Sequence, residues 1–221
     1  MIYEMHYYMS KNVWEEGNES YVMIWENKDK TPSMTCTVGG KLLKCIGYPN
    51  KKFEIPEGIE SIEKEVFVDP EWDIFNTEVK EVVIPKSVEK IEECAFLWTN
   101  INKITVHPDS PCVIVKNGGL YTKDGSTLLF AFKANANKEF VVEDGTKRIG
   151  LCALENPRCL GVYQEPDGPI LTTVIIPASV EKIAFDDQAD YDAYDCTVIK
   201  APKGSYAIKF AKKHKIRYIE I

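Results

Sequence analysis

The sequence predicts a mainly β fold with short helices, in which about five irregular repeats stack as a solenoid between a β-rich N-terminal cap and a helix–strand C-terminal cap. Three observations predict it. A short run of alternating apolar residues, usually followed by proline, recurs along most of the 221 residues. Successive copies are 22–36 residues apart, a period typical of stacked repeats. Residues before the first copy lack this pattern, and residues after the last copy have the pattern of a short helix.

The clearest copy of the repeat is Val82–Phe96, VVIPKSVEKIEECAF. Its period of two places Val82 and Ile84 on one face of a strand, and Pro85 ends the strand because it has no N–H to donate. A strand this short cannot bury its apolar face alone, so each repeat is expected to be stabilised by its neighbours. Two internal columns are predicted: Phe53, Val82, Ile104, Phe140 and Val174 in one, and Ile55, Ile84, Val106, Val142 and Ile176 in the other.

Two copies resemble the unit of the BspA-like leucine-rich repeat family, a bacterial and protist branch whose units have the form I-P-x-S-V-x-x-I-x-x-x-A-F. The matching residues are Ile84–Val88 with Ile91 and Ala95-Phe96, and Ile176–Val180 with Ile183. Segments 117–129 and 202–213 are similar to the same family, and the likeness covers about Gly39–Ile221. The resemblance implies a right-handed leucine-rich-repeat solenoid, in a family that is often secreted or displayed on the cell surface.

The repeats depart from the family pattern at two places. Glu143 and Thr146 replace the proline and the valine of their unit. After Ile183 the closing apolar pair comes too early in the chain, as Ala184-Phe185. We therefore expect irregular repeats, and we transfer no binding surface from the family.

The chain is predicted to divide into an N-terminal β cap (residues 1–38), the repeats (39–202) and a C-terminal cap (203–221). The first cap is predicted from strand-like runs at Tyr7-Tyr8 and Tyr21–Trp25, because an open solenoid end would expose its apolar column. Within the repeats, Asp124-Gly125 predicts a hairpin whose loop has two or more residues.

The C-terminal cap is predicted in more detail. Ser205 is placed to accept a hydrogen bond from the first turn of a helix that runs from about Tyr206 to Lys213. Ile216–Ile221 is predicted to form a closing strand. The helix is expected to turn its apolar residues towards the core, namely Ala207, Phe210 and Ala211.

Charge and composition exclude several classes of function. A net charge of −7 and the lack of a basic stripe argue against nucleic-acid binding. The cluster Lys212–Lys215 is interpreted as the solvated last turn of a helix. The chain opens on no basic leader with an apolar core, and it has no run of about 18 apolar residues, so we predict neither a signal peptide nor insertion into a membrane. The cellular compartment and the oligomeric state are left open.

Seven cysteines without a C-x-x-C pair predict neither a full disulfide framework nor a zinc site. Cys94 and Cys152 hold equivalent places and are interpreted as small buried thiols, with a redox pair as the alternative. Cys112 and His107 could form a nucleophile and a base, but nothing in the sequence orients the histidine. The run Asp186–Asp195 is interpreted as a solvated acidic insertion, with a partner-binding loop or a metal site as alternatives. No catalytic residue, cofactor or metal is therefore predicted.

Recognition is expected on the aromatic-bearing insertions that break the period. The candidate partner-binding residues are Trp72, Phe75, Trp98, Tyr163, Tyr191 and Tyr194. Aromatic rings among acids suit a basic protein partner, or a glycan by ring stacking. For Trp72 and Trp98 the alternative is that they fold back as lids on the core. The sequence thus predicts a non-catalytic protein–protein interaction module, with a carbohydrate-binding adhesin fragment of the bacterial cell surface as the alternative.

Overall fold

The computed structural model describes residues 5–8, 20–25, 34–37, 40–45, 51–69, 74–75, 79–97, 99–133, 138–154, 173–185 and 197–221. In these residues the chain forms short strands and one helix, α1, at Tyr206–Lys213. The predicted mainly β class with little helix is confirmed. Within the same residues, no helix is both long and apolar enough to cross a bilayer.

The strands are short, as the spacing of the repeats predicts. The first half of the chain contains β1 (Met5–Tyr8), β2 (Ser20–Trp25), β3 (Met34–Thr37), β4 (Lys41–Cys45), β5 (Lys52–Glu54), β6 (Ser61–Ile62), β7 (Val68–Asp69), β8 (Ile74–Phe75), β9 (Glu81–Ile84), β10 (Lys90–Ile91) and β11 (Lys103–Val106). The second half contains β12 (Val113–Lys116), β13 (Gly119–Thr122), β14 (Thr127–Ala131), β15 (Glu139–Val141), β16 (Arg148–Ile149), β17 (Thr173–Ile175), β18 (Lys182–Ile183), β19 (Val198–Ala201) and β20 (Arg217–Glu220).

A repeat contributes one strand to each of two parallel sheets. Strands β5, β9 and β11 pair in parallel, and this register aligns Phe53, Val82 and Ile104. The other parallel pairing joins β4, β6 and β10, of which β6 and β10 are the second, two-residue strands of their units. We call these strands, with their connections, the first block.

A second block repeats this arrangement with later residues. Strands β15, β17, β19 and β20 form one parallel sheet, which aligns Phe140, Val174 and Ile199. Strands β14, β16 and β18 form the other, with Leu128 paired to Ile149 and Ile149 to Ile183. The aligned apolar residues are almost fully buried, so stacking supplies the burial that one strand could not.

The prediction of two continuous columns is wrong. Between Ile104 and Phe140 the chain forms an antiparallel meander, β12–β13–β14, whose last strand opens the second block by pairing with β16. The buried apolar residues accordingly form two clusters, one for each block. Val106, placed in a column by the sequence, is only half-buried. The apolar residues of successive repeats are aligned within each block, and the right-handed solenoid stays a prediction.

The predicted hairpin at Asp124-Gly125 is confirmed, with residues 123–126 as its loop between antiparallel β13 and β14. The Asp124 carboxylate accepts hydrogen bonds from the Thr122 hydroxyl (2.6 Å), the Ser126 N–H (3.0 Å) and the Ser126 hydroxyl (2.9 Å). These donors stabilise the charged carboxylate, and they lower the pKa of Asp124 from 3.8 to about 2.

Serine side chains connect one repeat to the next. Ser87 Oγ accepts a hydrogen bond from the Gly58 N–H (3.1 Å) and donates one to the Ile59 carbonyl (2.9 Å). In the second block, Ser179 Oγ accepts from the Gly145 N–H at 3.0 Å. The serine of the repeat motif therefore binds the turn of the preceding unit.

A left-handed residue marks the second turn of three repeats. Glu65, Cys94 and Cys152 have φ of 57°, 61° and 56°, and each stands immediately before the apolar pair that closes its unit. The predicted equivalence of Cys94 and Cys152 is thus confirmed, with Cys152 buried and Cys94 half-buried. Among the described cysteines, Cys94 and Cys112 are free thiols.

Both ends of the chain contain the predicted elements. Runs Tyr7-Tyr8 and Tyr21–Trp25 lie in β1 and β2, which pair antiparallel ahead of the first block. At the other end, α1 and β20 occur where expected, and Ser205 Oγ accepts from the Ile208 N–H at 3.4 Å. Residues Ala207, Phe210 and Ala211 are buried as predicted, and Ile208 joins them. The division of the chain at residues 38 and 202 stays a prediction.

Candidate functional site

The candidate residues predicted from the insertions lie largely outside the described residues. Five of the six candidates are outside the described residues, and so is the acidic run Asp186–Asp195. The backbone of Phe75 belongs to β8, where it pairs antiparallel with Val68 of β7. The recognition surface predicted on the insertions therefore stays a prediction. The five are Trp72, Trp98, Tyr163, Tyr191 and Tyr194.

The described residues form a different candidate site where α1 packs on β18. A cavity of about 730 Å³ opens there, within the range of about 300–1,000 Å³ that is usual for binding sites. We call it the C-terminal pocket. It has an aromatic wall, a rim of lysines and an ion pair: the wall is Phe185, Tyr206, Phe210 and His214, the rim is Lys182, Lys209 and Lys213, and the ion pair is Glu93–Arg148.

The aromatic wall is held together by ring contacts. The His214 ring lies 4.3 Å from the Phe185 ring and 4.5 Å from the Phe210 ring, measured between centroids. Phe185 meets Phe210 edge-on at 5.6 Å, a geometry that aromatic pairs favour. Phe210 is anchored in the core with 5% exposure, whereas Phe185 and His214 are half-buried. The core therefore holds the aromatic wall in place through Phe210, and the half-buried rings of Phe185 and His214 are accessible from the cavity.

The three rim lysines approach the cavity from two elements. Lys182 belongs to β18, the last strand of its sheet, and Lys209 and Lys213 belong to α1. Residues four apart lie on the same face of a helix, about 6 Å along its axis. All three lysines are exposed, and none makes an ion pair within the described residues. The rim is therefore a local positive surface on a chain whose net charge is −7.

The ion pair joins the two blocks beneath the rim. Glu93, from the first block, pairs with Arg148 of β16, and its other oxygen accepts from the Leu151 N–H at 2.9 Å. Burial by itself would raise the pKa of Glu93. The hydrogen bonds from Arg148 and Leu151, with the positive charges of Arg148 and Lys182, outweigh that effect and lower the pKa below its usual value. The carboxylate stays charged, and it neutralises Arg148.

A second cavity, of about 520 Å³, provides a contrast in the first block. It lies at the ends of β5, β9 and β11, where Pro56, Pro85 and Pro108 follow each other in successive units. Its charged lining residues include Glu54 and Glu57. The prolines offer no N–H, so this proline groove has fewer donors for a ligand than the C-terminal pocket.

Four of the five large exposed apolar side chains in the described residues lie at the C-terminal end of the chain, and the fifth, Val141, lies in β15. Within the described residues, none of them belongs to the first block. Scattered exposed apolar residues are normal, but a concentration at one end is typical of an interaction surface. They are Val141 (41% exposed), Tyr206 (39%), Tyr218 (40%), Ile219 (48%) and Ile221 (63%).

The hypothetical pair of Cys112 and His107 is not assembled as a nucleophile and a base. Cys112 Sγ donates to the Val88 carbonyl at 3.1 Å, and His107 Nδ1 accepts from the Asp109 N–H at 3.1 Å. Burial raises the pKa of the Cys112 thiol, which disfavours the reactive thiolate. In the described part of the chain, no three metal-ligating side chains come together.

The residues of the C-terminal pocket were not predicted from the sequence, although two signals were visible. One is the pair Ala184-Phe185, which comes early in its unit. In three units the residue two positions after the isoleucine of the second strand lines the pocket and is only half-buried. These residues are Glu93, Leu151 and Phe185. A phenylalanine at an outward position marks a surface that needs a cover. The other is the pair Lys209 and Lys213 on one helix face, of which only Lys213 belongs to the cluster Lys212–Lys215 that was predicted to be solvated.

Comparison with known proteins gives partial fold likeness. The sequence matches no protein-family model and no curated protein. The chain is similar to a leucine-rich repeat protein from Eubacterium ventriosum (20% identity, TM-score 0.45, covering 69% of this chain and 42% of that one). It is also similar to a leucine-rich cell surface protein from Faecalibacterium prausnitzii (22%, 0.39, covering 60% and 37%) and to the pneumococcal vaccine antigen PcpA (10%, 0.27, covering 95% and 98%). The matched region thus spans about two fifths of the first two proteins, and these values assign the chain to no family.

Proposed function

We propose that this chain is a non-catalytic protein-interaction module, built on stacked β repeats of the BspA-like leucine-rich type, that binds its partner at the C-terminal pocket. One observation carries the proposal: half-buried aromatic rings and lysines without carboxylate partners in the described chain converge on a single cavity. Aromatic anchors surrounded by polar groups are the common composition of protein-binding hot spots.

Support comes from how rigidly the site is built. Phe210 and the inner face of α1 are buried, and Glu93 ties the pocket to the first block through Arg148 and Leu151. A preformed site loses little conformational entropy on binding, so more of the contact energy appears as affinity. The repeats act as the scaffold and the C-terminal end supplies the contacts.

The insertion aromatics form a second proposed contact surface. Their sequence context is acidic, which complements a basic region of a partner, whereas the C-terminal pocket is basic. The two surfaces are therefore proposed to contact different parts of a partner. A glycan ligand is the outcome that would replace a protein at either surface.

Affinity capture with quantitative mass spectrometry tests the proposal. The wild-type chain is compared with Lys209→Glu/Lys213→Glu in the pocket and with Lys64→Glu/Lys86→Glu, which makes the same charge change on exposed lysines of the first block. We expect a protein that is recovered by the wild type and the control but lost by the pocket variant. A Trp72→Ala/Tyr191→Ala variant tests the insertion surface in parallel. Identical recovery by all variants, or binding only to a glycan panel, would contradict the proposed function.

A further inference from the structure

The charge of the C-terminal pocket selects the kind of partner. Among its described lining residues the one carboxylate is Glu93, and Arg148 already neutralises it. Lys182, Lys209 and Lys213 make no ion pair with a carboxylate of the described residues, although the charge of Lys182 acts on Glu93 at longer range. An incoming negative group would be attracted to this rim, while the chain as a whole, at a net charge of −7, would repel a large anion.

The shape of the pocket adds an apolar requirement. The rim lysines come from two elements, Lys182 from β18 and Lys209 and Lys213 from α1, and the aromatic wall lines the same cavity. A bare inorganic anion would use the rim and make no apolar contact with the aromatic wall. A ligand that satisfies both features has an apolar or aromatic side chain in the middle and carboxylates on either side.

Phosphate polymers fit the pocket less well than carboxylates. The pocket's arginine, Arg148, whose planar fork would match a phosphate or a carboxylate, is committed to Glu93, so the rim offers lysines. Nucleic acids also need basic residues along a stripe to neutralise successive phosphates. The rim instead places three lysines around one cavity.

From these features we infer that the C-terminal pocket binds a short acidic segment of a protein, in which an aromatic or aliphatic side chain enters the cavity between flanking carboxylates. This inference rests on the proposed function and specifies the partner's chemistry. The anchor side chain packs on Phe185, Phe210 and His214, and the carboxylates pair with the lysines at the rim. Because these ion pairs are exposed, affinity falls as salt increases.

Fluorescence polarisation with a labelled peptide of alternating glutamate and tyrosine tests this inference on the full chain. The matched probes are a glutamine–tyrosine peptide and a single-stranded oligonucleotide of equal charge. We expect the acidic peptide to bind, with affinity reduced at least about tenfold by Lys209→Glu/Lys213→Glu and about tenfold by Phe185→Ala. The control Lys64→Glu/Lys86→Glu should change affinity by less than about twofold. Melting curves of each variant confirm that it is folded, and the charge pair lies on the exposed surface.

Four results would overturn the inference. The oligonucleotide binding as tightly as the peptide, with the same loss in the pocket variant, would assign the rim to nucleic acid. Equal binding of the glutamine–tyrosine peptide would remove the role of charge. Self-association that the pocket variant abolishes, measured by light scattering, would make a second copy of the chain the occupant. Failure of the acidic peptide while affinity capture still yields a pocket-dependent protein would reject the acidic segment and leave the proposed function standing.

Discussion

Two nearly identical repeats of this chain put a phenylalanine to different uses. Ile84–Ile91 and Ile176–Ile183 differ at a single position, Lys86 against Ala178. Both fold into a strand, a turn whose serine bonds to the preceding unit, and a second short strand. Beyond that strand the first copy continues to Phe96, which is 2% exposed and packs against Phe67 and Phe130, whereas the second copy reaches the half-buried Phe185.

The difference between the copies lies in spacing. Phe96 comes five residues after Ile91, beyond the left-handed Cys94 that turns the chain back to the core. Phe185 comes two residues after Ile183, so it is equivalent to the outward-facing Glu93. A repeat protein can therefore convert a core residue into a surface anchor by moving it along the turn, without a change in composition.

The largest expected effect is a difference in stability between alanine variants of the two phenylalanines. Phe96→Ala empties a buried site between two rings and should lower the free energy of unfolding by about 3–5 kcal/mol. Phe185→Ala should cost about 1 kcal/mol, because the half-exposed side chain loses fewer contacts. Urea unfolding followed by circular dichroism measures both. Equal losses would show that Phe185 belongs to the core, and the comparison between the copies would fail.

The second largest expected effect is a difference in stability between alanine variants of the serines in the two copies. Ser87→Ala removes two hydrogen bonds to the preceding unit, with Gly58 and Ile59, and should cost about 1–2 kcal/mol. Ser179→Ala removes one, with the exposed Gly145 N–H, and should cost about 0.5 kcal/mol. Chemical denaturation of the two variants beside the wild type gives the order. A larger loss for Ser179→Ala would contradict this account of the inter-repeat bonds.

Much of the fold could be predicted because the repeat is local. Alternation, proline and spacing are visible within about 15 residues of sequence, and they place β9, β17, the hairpin and α1 correctly. The break between the blocks was missed, because nothing local shows that β14 pairs with β16 instead of extending the column from Ile104 to Phe140.

The pocket was harder to predict because its parts are distant in sequence. Glu93 meets Arg148 across 55 residues, and α1 completes the pocket by packing on β18 of the second block. Phe185 was recognised as out of register, but its outward direction follows only once the position of Glu93 is known. The sequence shows lysines on a predicted helix, but it does not show that a cavity lies between that helix and β18.

A smaller effect is expected from the ion pair between the blocks. The pKa of Glu93 is lowered in the folded chain, so its stabilisation is complete above its ordinary value of 4.5 and is lost as the pH falls through the lower folded value. Glu93→Gln should cost about 1 kcal/mol at neutral pH, and the variant and the wild type should converge in acid. Unfolding titrations between neutral and acidic pH test this. A constant difference at every pH would mean that the charge of Glu93 has no part in joining the blocks.

The smallest effect concerns the hairpin loop, which belongs to neither copy of the repeat. Asp124 has its pKa lowered to about 2, so its contribution is present above 3.8 and is lost between 3.8 and about 2. Asp124→Asn should therefore lower the melting temperature slightly at neutral pH, where the charged carboxylate contributes fully, and should converge with the wild type as the pH falls through that window. Melting temperatures across the window measure it, and an unchanged acid dependence would contradict the role of the carboxylate.

The most direct test of the central claim is a titration of the isotope-labelled chain with the glutamate–tyrosine peptide, followed by amide NMR. The two copies of the repeat serve as each other's control. We predict shifts of the amides in Lys182–Phe185 and Tyr206–His214, with Lys90–Phe96 unchanged apart from Glu93, which contributes to the pocket. Shifts that spread equally over Lys90–Phe96, or that avoid Phe185 and α1, would contradict the claim that the early phenylalanine of the second copy builds a binding site.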